Sequence, residues 1–158
     1  MGIGVLVATI IEACRLKGLF DLLKKVRGVL REEEAQQIGA YYFFFLGAFL
    51  TVLIFDVDVA ATSIAAGLIG DAMAAIGGKA LGKKVFQRSF NTKSAEGGLI
   101  GGVAAALTVI AFTGKLAAGL IALIVFIPVE MLSRGAYDNL TLPLSVGFAL
   151  TALKRLIT

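Results

Sequence analysis

An all-α, polytopic integral membrane protein is the fold class this sequence predicts, and three observations carry it. Hydrophobic residues fill 58% of the 158 positions and the mean hydropathy is +0.91, well above the roughly 45–50% apolar usage of soluble domains. Charged residues are 16% of the chain and fall in clusters. Between the clusters lie apolar runs of helix-spanning length, where about 20 residues cross a hydrocarbon core. The expectation is one membrane domain over 1–158, with five to six membrane helices and one amphipathic interfacial helix.

Gly2 to Cys14 is apolar except for Glu12. It lacks the basic start and small-residue cleavage site of a signal peptide, so it is expected to stay as a membrane segment. In 18–37 the apolar Leu19, Leu22, Leu23, Val26 and Leu30 fall at helical spacing, with Lys24, Lys25, Arg27 and Arg31 largely off that face. This predicts a helix lying on the membrane surface. Ile38 to Phe55 is a span of 18 residues without a charge, and Asp56 and Asp58 mark a turn. Val59 to Gly78 is the next span, interrupted by Asp71.

A basic, glycine-containing loop follows, with Lys79, Lys83, Lys84, Arg88 and Lys93. Gly97 to Gly114 is a third long span. It carries two overlapping small-x-x-x-small pairs, Gly97/Gly101 and Gly98/Gly102, which let helix backbones approach closely. Leu116 to Leu132 comes next, with Pro128 and Glu130 near its end. Asp138-Asn139-Leu140-Thr141-Leu142-Pro143 leads into an apolar tail ending at Lys154-Arg155. Pro143 is expected in the first turn of that tail helix, where proline is tolerated.

Several chemistries are excluded. There is no histidine, and Cys14 is the single cysteine, so imidazole acid–base catalysis, His- or Cys-based zinc sites and an intrachain disulfide are out. Gly77-x-x-x-x-Gly82-Lys83 begins like a P-loop, but Lys84 stands where Ser or Thr is needed and a membrane helix precedes it. The net charge of +4 sits in membrane-flanking loops, where anionic lipid rather than nucleic acid is the ordinary partner.

Loop charges give an orientation. Lys and Arg number six after the first segment, none in the Asp56–Asp58 turn, five in the Lys79–Lys93 loop and one, Lys115, in the next. The positive-inside rule then puts the N-terminus outside and the basic loops in the cytoplasm. On that topology Glu12, Asp71, Glu96, Glu130 and Asp138 converge on the cytoplasmic side. Acids in membrane segments cost about 2.5–3.5 kcal/mol each on insertion scales and default to a functional reading. Carboxylates beside glycines and lysines suit a metal and a phosphate chain.

Gly70-Asp71-Ala72-Met73-Ala74, Gly78-Lys79-Ala80-Leu81-Gly82, Lys93-Ser94-Ala95-Glu96-Gly97 and Asp138-Asn139-Leu140-Thr141-Leu142-Pro143 together resemble the CTP-dependent lipid-alcohol kinases. These are the dolichol, phytol and CTP-using diacylglycerol kinases, distant relatives of phosphatidate cytidylyltransferase. Glu12-x-x-Arg15 adds a weaker likeness. The resemblance implies transfer of the γ-phosphoryl group of CTP to a membrane lipid alcohol, with Mg²⁺ as cofactor. Asp71, Glu96 and Lys93 would be catalytic. Lys79, Lys83, Gly78, Gly82, Ser94, Gly97 and Asn139 would hold the CTP phosphates, and Asp71, Asp138 and Glu130 the metal. Glu96 is left with three roles: positioning a lysine, binding metal or taking the hydroxyl proton. The family often has further N-terminal helices with an Arg-Lys pair near a histidine, which this sequence lacks; the expectation is a minimal member, a site completed by a second subunit in a homodimer, or a relative with altered activity. Two other classes stand beside this one: a CDP-lipid synthase, and a small membrane transporter or assembly protein.

Overall fold

The structure is a computed structural model and describes residues 2–16, 38–81, 86–88, 91–133 and 135–157. Among these residues are six α-helices, α1 (Gly2–Leu16), α2 (Ala40–Ile54), α3 (Val57–Leu81), α4 (Ala95–Thr113), α5 (Leu116–Leu132) and α6 (Asp138–Ile157). A 3₁₀ turn, Gly135–Tyr137, precedes α6, and two short strands, β1 (Phe86–Arg88) and β2 (Asn91–Lys93), lie between α3 and α4. The expected interfacial helix over 18–37 falls outside the described residues.

The helices run up and down. Short connections force α2 to α3 and α4 to α5 to reverse direction. Gly114 ends α4 in the left-handed region with φ 67°, and its N–H donates to Ile110 O at 2.8 Å, the usual place for glycine after a helix. Two helices, α3 with 25 residues and α4 with 19, are long and apolar enough to cross a membrane. α1, α2 and α5 are shorter apolar helices. The span expected over 38–55 begins only at Ala40, because Gly39 adopts an extended backbone and serves as the N-cap.

Small residues set the packing, as the spacing in 97–102 predicts. Gly70, Ala74 and Gly78 recur every four residues on α3 and meet Gly97, Gly101 and Ala105 on α4 in antiparallel register. A Cβ on Gly101 would lie 2.6 Å from Gly70 O, and one on Gly97 would lie 2.7 Å from Ala74 O. The second glycine row faces another helix: Gly98 lies against Met131 and Gly102 against Ile127 of α5. α4 is therefore wedged between α3 and α5 by two offset glycine ridges, the close approach that such pairs permit.

The core lies where α3, α4, α5 and α6 converge and includes Ala66, Ala105, Val109, Ala122, Phe126, Leu142 and Val146. Phe126 is fully buried, and a Cβ on Gly70 would come within 2.3 Å of its ring. Pro143 lies inside α6, in the second turn rather than the first. It has no N–H to give the carbonyl of Asn139, four residues earlier. Gly47 of α2 packs against that carbonyl, where a Cβ would come within 2.8 Å of Asn139 O, and Gly67 of α3 packs on the Pro143 ring.

Candidate functional site

The site forms at one end of the bundle, where α3 and α5 finish and α4 and α6 begin. Phe126 and Glu130 are four residues apart and share one face of α5. Seating Phe126 on Gly70 thus brings Glu130 beside Asp71. On α6, Asp138, Leu142 and Val146 recur at the same spacing and are all buried, so the core contacts of the latter two turn Asp138 inward. Carboxylate oxygens of Asp71, Glu130 and Asp138 lie within 4.8 Å of one another. Three helices thus bring together the acids assigned to metal in the sequence.

Parts of the basic stretch form regular secondary structure. α3 continues through Gly78 and Lys79 to Leu81. β1 then pairs antiparallel with β2, with Phe86 opposite Lys93 and Arg88 opposite Asn91. The hairpin delivers Lys93 to the acids, where its ammonium lies 2.6 Å from Asp138 Oδ2 and 2.8 Å from Glu130 Oε1. Lys93 is 14% exposed and each carboxylate 7%, so this is a largely buried ion group. Burial acts to lower the Lys93 pKa, but the charges of Asp138 and Glu130, with their hydrogen bonds, outweigh it and hold the ammonium above its ordinary value.

Asp138 is oriented from its own helix. Its Oδ1 accepts the Asn139 backbone N–H at 2.8 Å and the Asn139 side-chain amide at 3.0 Å. Asn139, assigned to phosphate in the sequence, thereby aims Asp138 Oδ2 at Lys93. Glu130 Oε2 is buried and has no hydrogen-bond partner among the described residues. A buried carboxylate oxygen calls for a cation or a donor, and hard oxygen donors of this kind suit a divalent ion such as Mg²⁺.

The remaining assigned residues are placed as follows. Ser94 caps α4, its Oγ accepting the Gly97 N–H at 3.0 Å. Gly97 and Gly78 face each other across the α3–α4 contact. These three are thus engaged in capping and packing, and the Gly78 N–H belongs to a helix interior. Glu96 lies in the first turn of α4, where the helix dipole favours an acid. Its Oε2 is buried without a hydrogen-bond partner among the described residues, and it is not among the three clustered carboxylates. Lys79 is exposed in the last turn of α3. Gly82, Lys83 and Lys84, and the side chains of Arg88 and Arg15, are outside the described residues.

Three features are not legible in the sequence: the partners of Glu12 and two grooves. Glu12 of α1 is buried; its Oε1 accepts the Gly39 N–H at 2.8 Å and its Oε2 accepts the Tyr41 hydroxyl. An acid in an apolar run signals some partner, but nothing local to it points to residues 27 and 29 positions away. A groove of about 340 Å³ lies along the α5–α6 seam beside the acids. Another, of about 260 Å³, lies at the opposite end around Asp56 and Lys154. Lys154 Nζ is 2.9 Å from Asp56 Oδ2, so α6 runs the full length of the bundle, away from the acid cluster.

Compared with family models, curated proteins and solved structures, the chain matches none of them.

Proposed function

We propose that this chain is a multi-pass membrane kinase that transfers the γ-phosphoryl group of CTP to a lipid alcohol at a site facing the cytoplasm. The observation that carries the reading is the grouping of Asp71, Glu130 and Asp138 from three helices around the hairpin-borne Lys93. Phosphoryl transfer asks for charge neutralisation and alignment more than for covalent chemistry. Asp71, Glu130 and Asp138 would hold a divalent cation, which neutralises phosphate charge when bound. Lys93 sits where it can hold the cluster together and face a phosphate oxygen. Lys79 is exposed at the same end of the bundle. With no histidine in the chain, a carboxylate or the phosphate itself would take the proton of the attacking hydroxyl.

The membrane setting is supported from outside the core. Large apolar side chains point outward on successive helices, among them Leu6, Leu53, Ile76, Leu107, Ile124 and Phe148, each more than half exposed. The apolar windows of α3 and α4 are only 39% buried, whereas the core helix of a soluble protein is mostly covered. Preference for CTP and for an alcohol acceptor rests on the sequence resemblance. CTP labelled at the γ- or α-phosphate, supplied with Mg²⁺ and mixed lipid alcohols, tests the reading. Label reaching the lipid from the γ-position alone is expected. Transfer from the α-position would make the protein a CDP-lipid synthase, and no transfer from any nucleotide would reject an enzyme of this class.

A further inference from the structure

The groove beside the acid cluster is lined by Val129, Leu132, Ser133, Tyr137, Thr141 and Ser145. Among the described residues no charged side chain lines it, which suits a neutral occupant. It opens sideways on a surface where Leu132 and Tyr137 are more than half exposed. Its two walls are continuous with the site. Glu130 and Ser133 are three residues apart on α5, and Asp138, Thr141 and Ser145 follow at intervals of three and four on α6, spacings that put each set on one helix face. A volume of about 340 Å³ is at the small end of ligand pockets, about 300–1,000 Å³. It accommodates part of a chain rather than a whole long-chain lipid.

The hydroxyls in the groove define the head of the occupant. Ser133 Oγ and Thr141 Oγ1 lie 2.9 Å apart; Ser133 also reaches Val129 O at 2.7 Å and Thr141 reaches Tyr137 O at 3.0 Å. Two hydroxyl protons can serve at most two of these three contacts, and with both given to the Val129 and Tyr137 carbonyls the pair keeps its acceptor lone pairs free. Such a pair takes a hydrogen bond from an O–H donor. While both protons stay on the backbone carbonyls, the pair has no donor for a phosphate oxygen.

We infer that this groove binds the acceptor, a neutral lipid alcohol entering sideways from the bilayer, with its hydroxyl at Ser133 and Thr141 and the first part of its chain running toward Val129 and Ser145. This rests on the kinase reading and adds where the alcohol lies and which residues select it. Specificity would then come from the width of the α5–α6 seam at Ser145.

The test uses the whole protein in phosphatidylcholine nanodiscs with a diazirine analogue of geranylgeraniol, without nucleotide. The expected result is photolabel on Leu132, Tyr137 or Thr141, competed by unmodified geranylgeraniol and absent with a diazirine phosphatidylcholine. Ser145→Leu, which fills the groove, is expected to lower labelling and raise the KM for the alcohol by about tenfold, equivalent to roughly 1.4 kcal/mol, with the KM for CTP unchanged. Leu120→Ala, on an outward face away from the groove, is expected to keep both, and the unchanged KM for CTP shows that Ser145→Leu is folded. Label spread over outward faces such as Leu120 and Ile124, or equal labelling by the phosphatidylcholine probe, would overturn the inference. The two readings fail separately: transfer with label elsewhere rejects the groove and keeps the kinase, whereas label in the groove without transfer rejects the kinase and keeps an alcohol-binding site.

Discussion

Lys93 and Asp138, 45 residues apart in sequence, meet at 2.6 Å between ammonium and carboxylate. Lys93 also lies 2.8 Å from Glu130. A hairpin residue thus ties the ends of α5 and α6 together inside the candidate site. Removing one partner of a buried ion group leaves the others uncompensated, at about 3–5 kcal/mol. Lys93→Met is expected to lower the melting temperature in detergent and abolish transfer. The double variant Lys93→Met with Glu130→Gln should recover part of the stability and none of the activity. An additive loss of stability would show that the two groups are not coupled.

The pH dependence of that stability follows from the raised Lys93 pKa. A group whose folded pKa is raised contributes fully below its unfolded value, about 10.4 for lysine. The contribution fades as pH rises through the higher folded value. The melting-temperature gap between the native protein and Lys93→Met is therefore expected to be constant between about pH 6 and 9 and to close only above about 10.4. A gap that closes near neutrality would mean that burial, not the two carboxylates, governs Lys93.

Asp71 reaches the cluster from α3, next to the Gly70 that packs on Phe126. Asp71→Asn keeps the shape of the side chain and removes its charge. We expect at least about a 100-fold loss of transfer, weaker Mn²⁺ binding by electron paramagnetic resonance, and an unchanged melting profile in the absence of metal. Full Mn²⁺ affinity in this variant would remove Asp71 from the ligand set.

Glycine packing makes a graded prediction. Gly70→Ala drives a Cβ to 2.3 Å from the Phe126 ring, and Gly101→Ala drives one to 2.6 Å from a backbone carbonyl. Each should cost about 1–3 kcal/mol as overpacking. Gly70→Ala should also impair transfer, since Phe126 sets the position of Glu130. Gly98→Ala meets only the flexible Met131 side chain at 3.4 Å and should be close to neutral. Equal effects at all three positions by thermal melting would contradict this packing.

Glu12 binds α1 to the start of α2. Glu12→Ala leaves the Gly39 N–H and the Tyr41 hydroxyl without that acceptor, at about 1–3 kcal/mol for a buried polar group. Glu12→Gln keeps an acceptor for Gly39 and should recover part of the loss. Faster proteolysis between α1 and α2 in the alanine variant, reduced in the glutamine variant, is the expected pattern.

What the sequence determined by itself was the helical class, the bounds of α4 and α5 to within two residues, and the identity of the three clustered acids. The reason is local: hydropathy, glycine spacing and helix stops are carried by neighbouring residues, and an acid in an apolar run is conspicuous wherever it ends up. The sequence also showed that Gly97/Gly101 and Gly98/Gly102 pack, since their spacing of four places each pair on one helix face. Which helix each ridge meets was decided only in three dimensions, by the antiparallel register of Gly70, Ala74 and Gly78. The same holds for the site. Lys93 reads in sequence as one of five loop cations, and only the hairpin register and the inward turn of α6 single it out as the partner of Asp138 and Glu130. Ser94, Gly97 and Asn139 resemble phosphate-binding residues by type, yet the fold commits them to capping, packing and orienting Asp138. Side-chain chemistry is written residue by residue, but the choice among the partners it permits depends on distances that chain order does not encode.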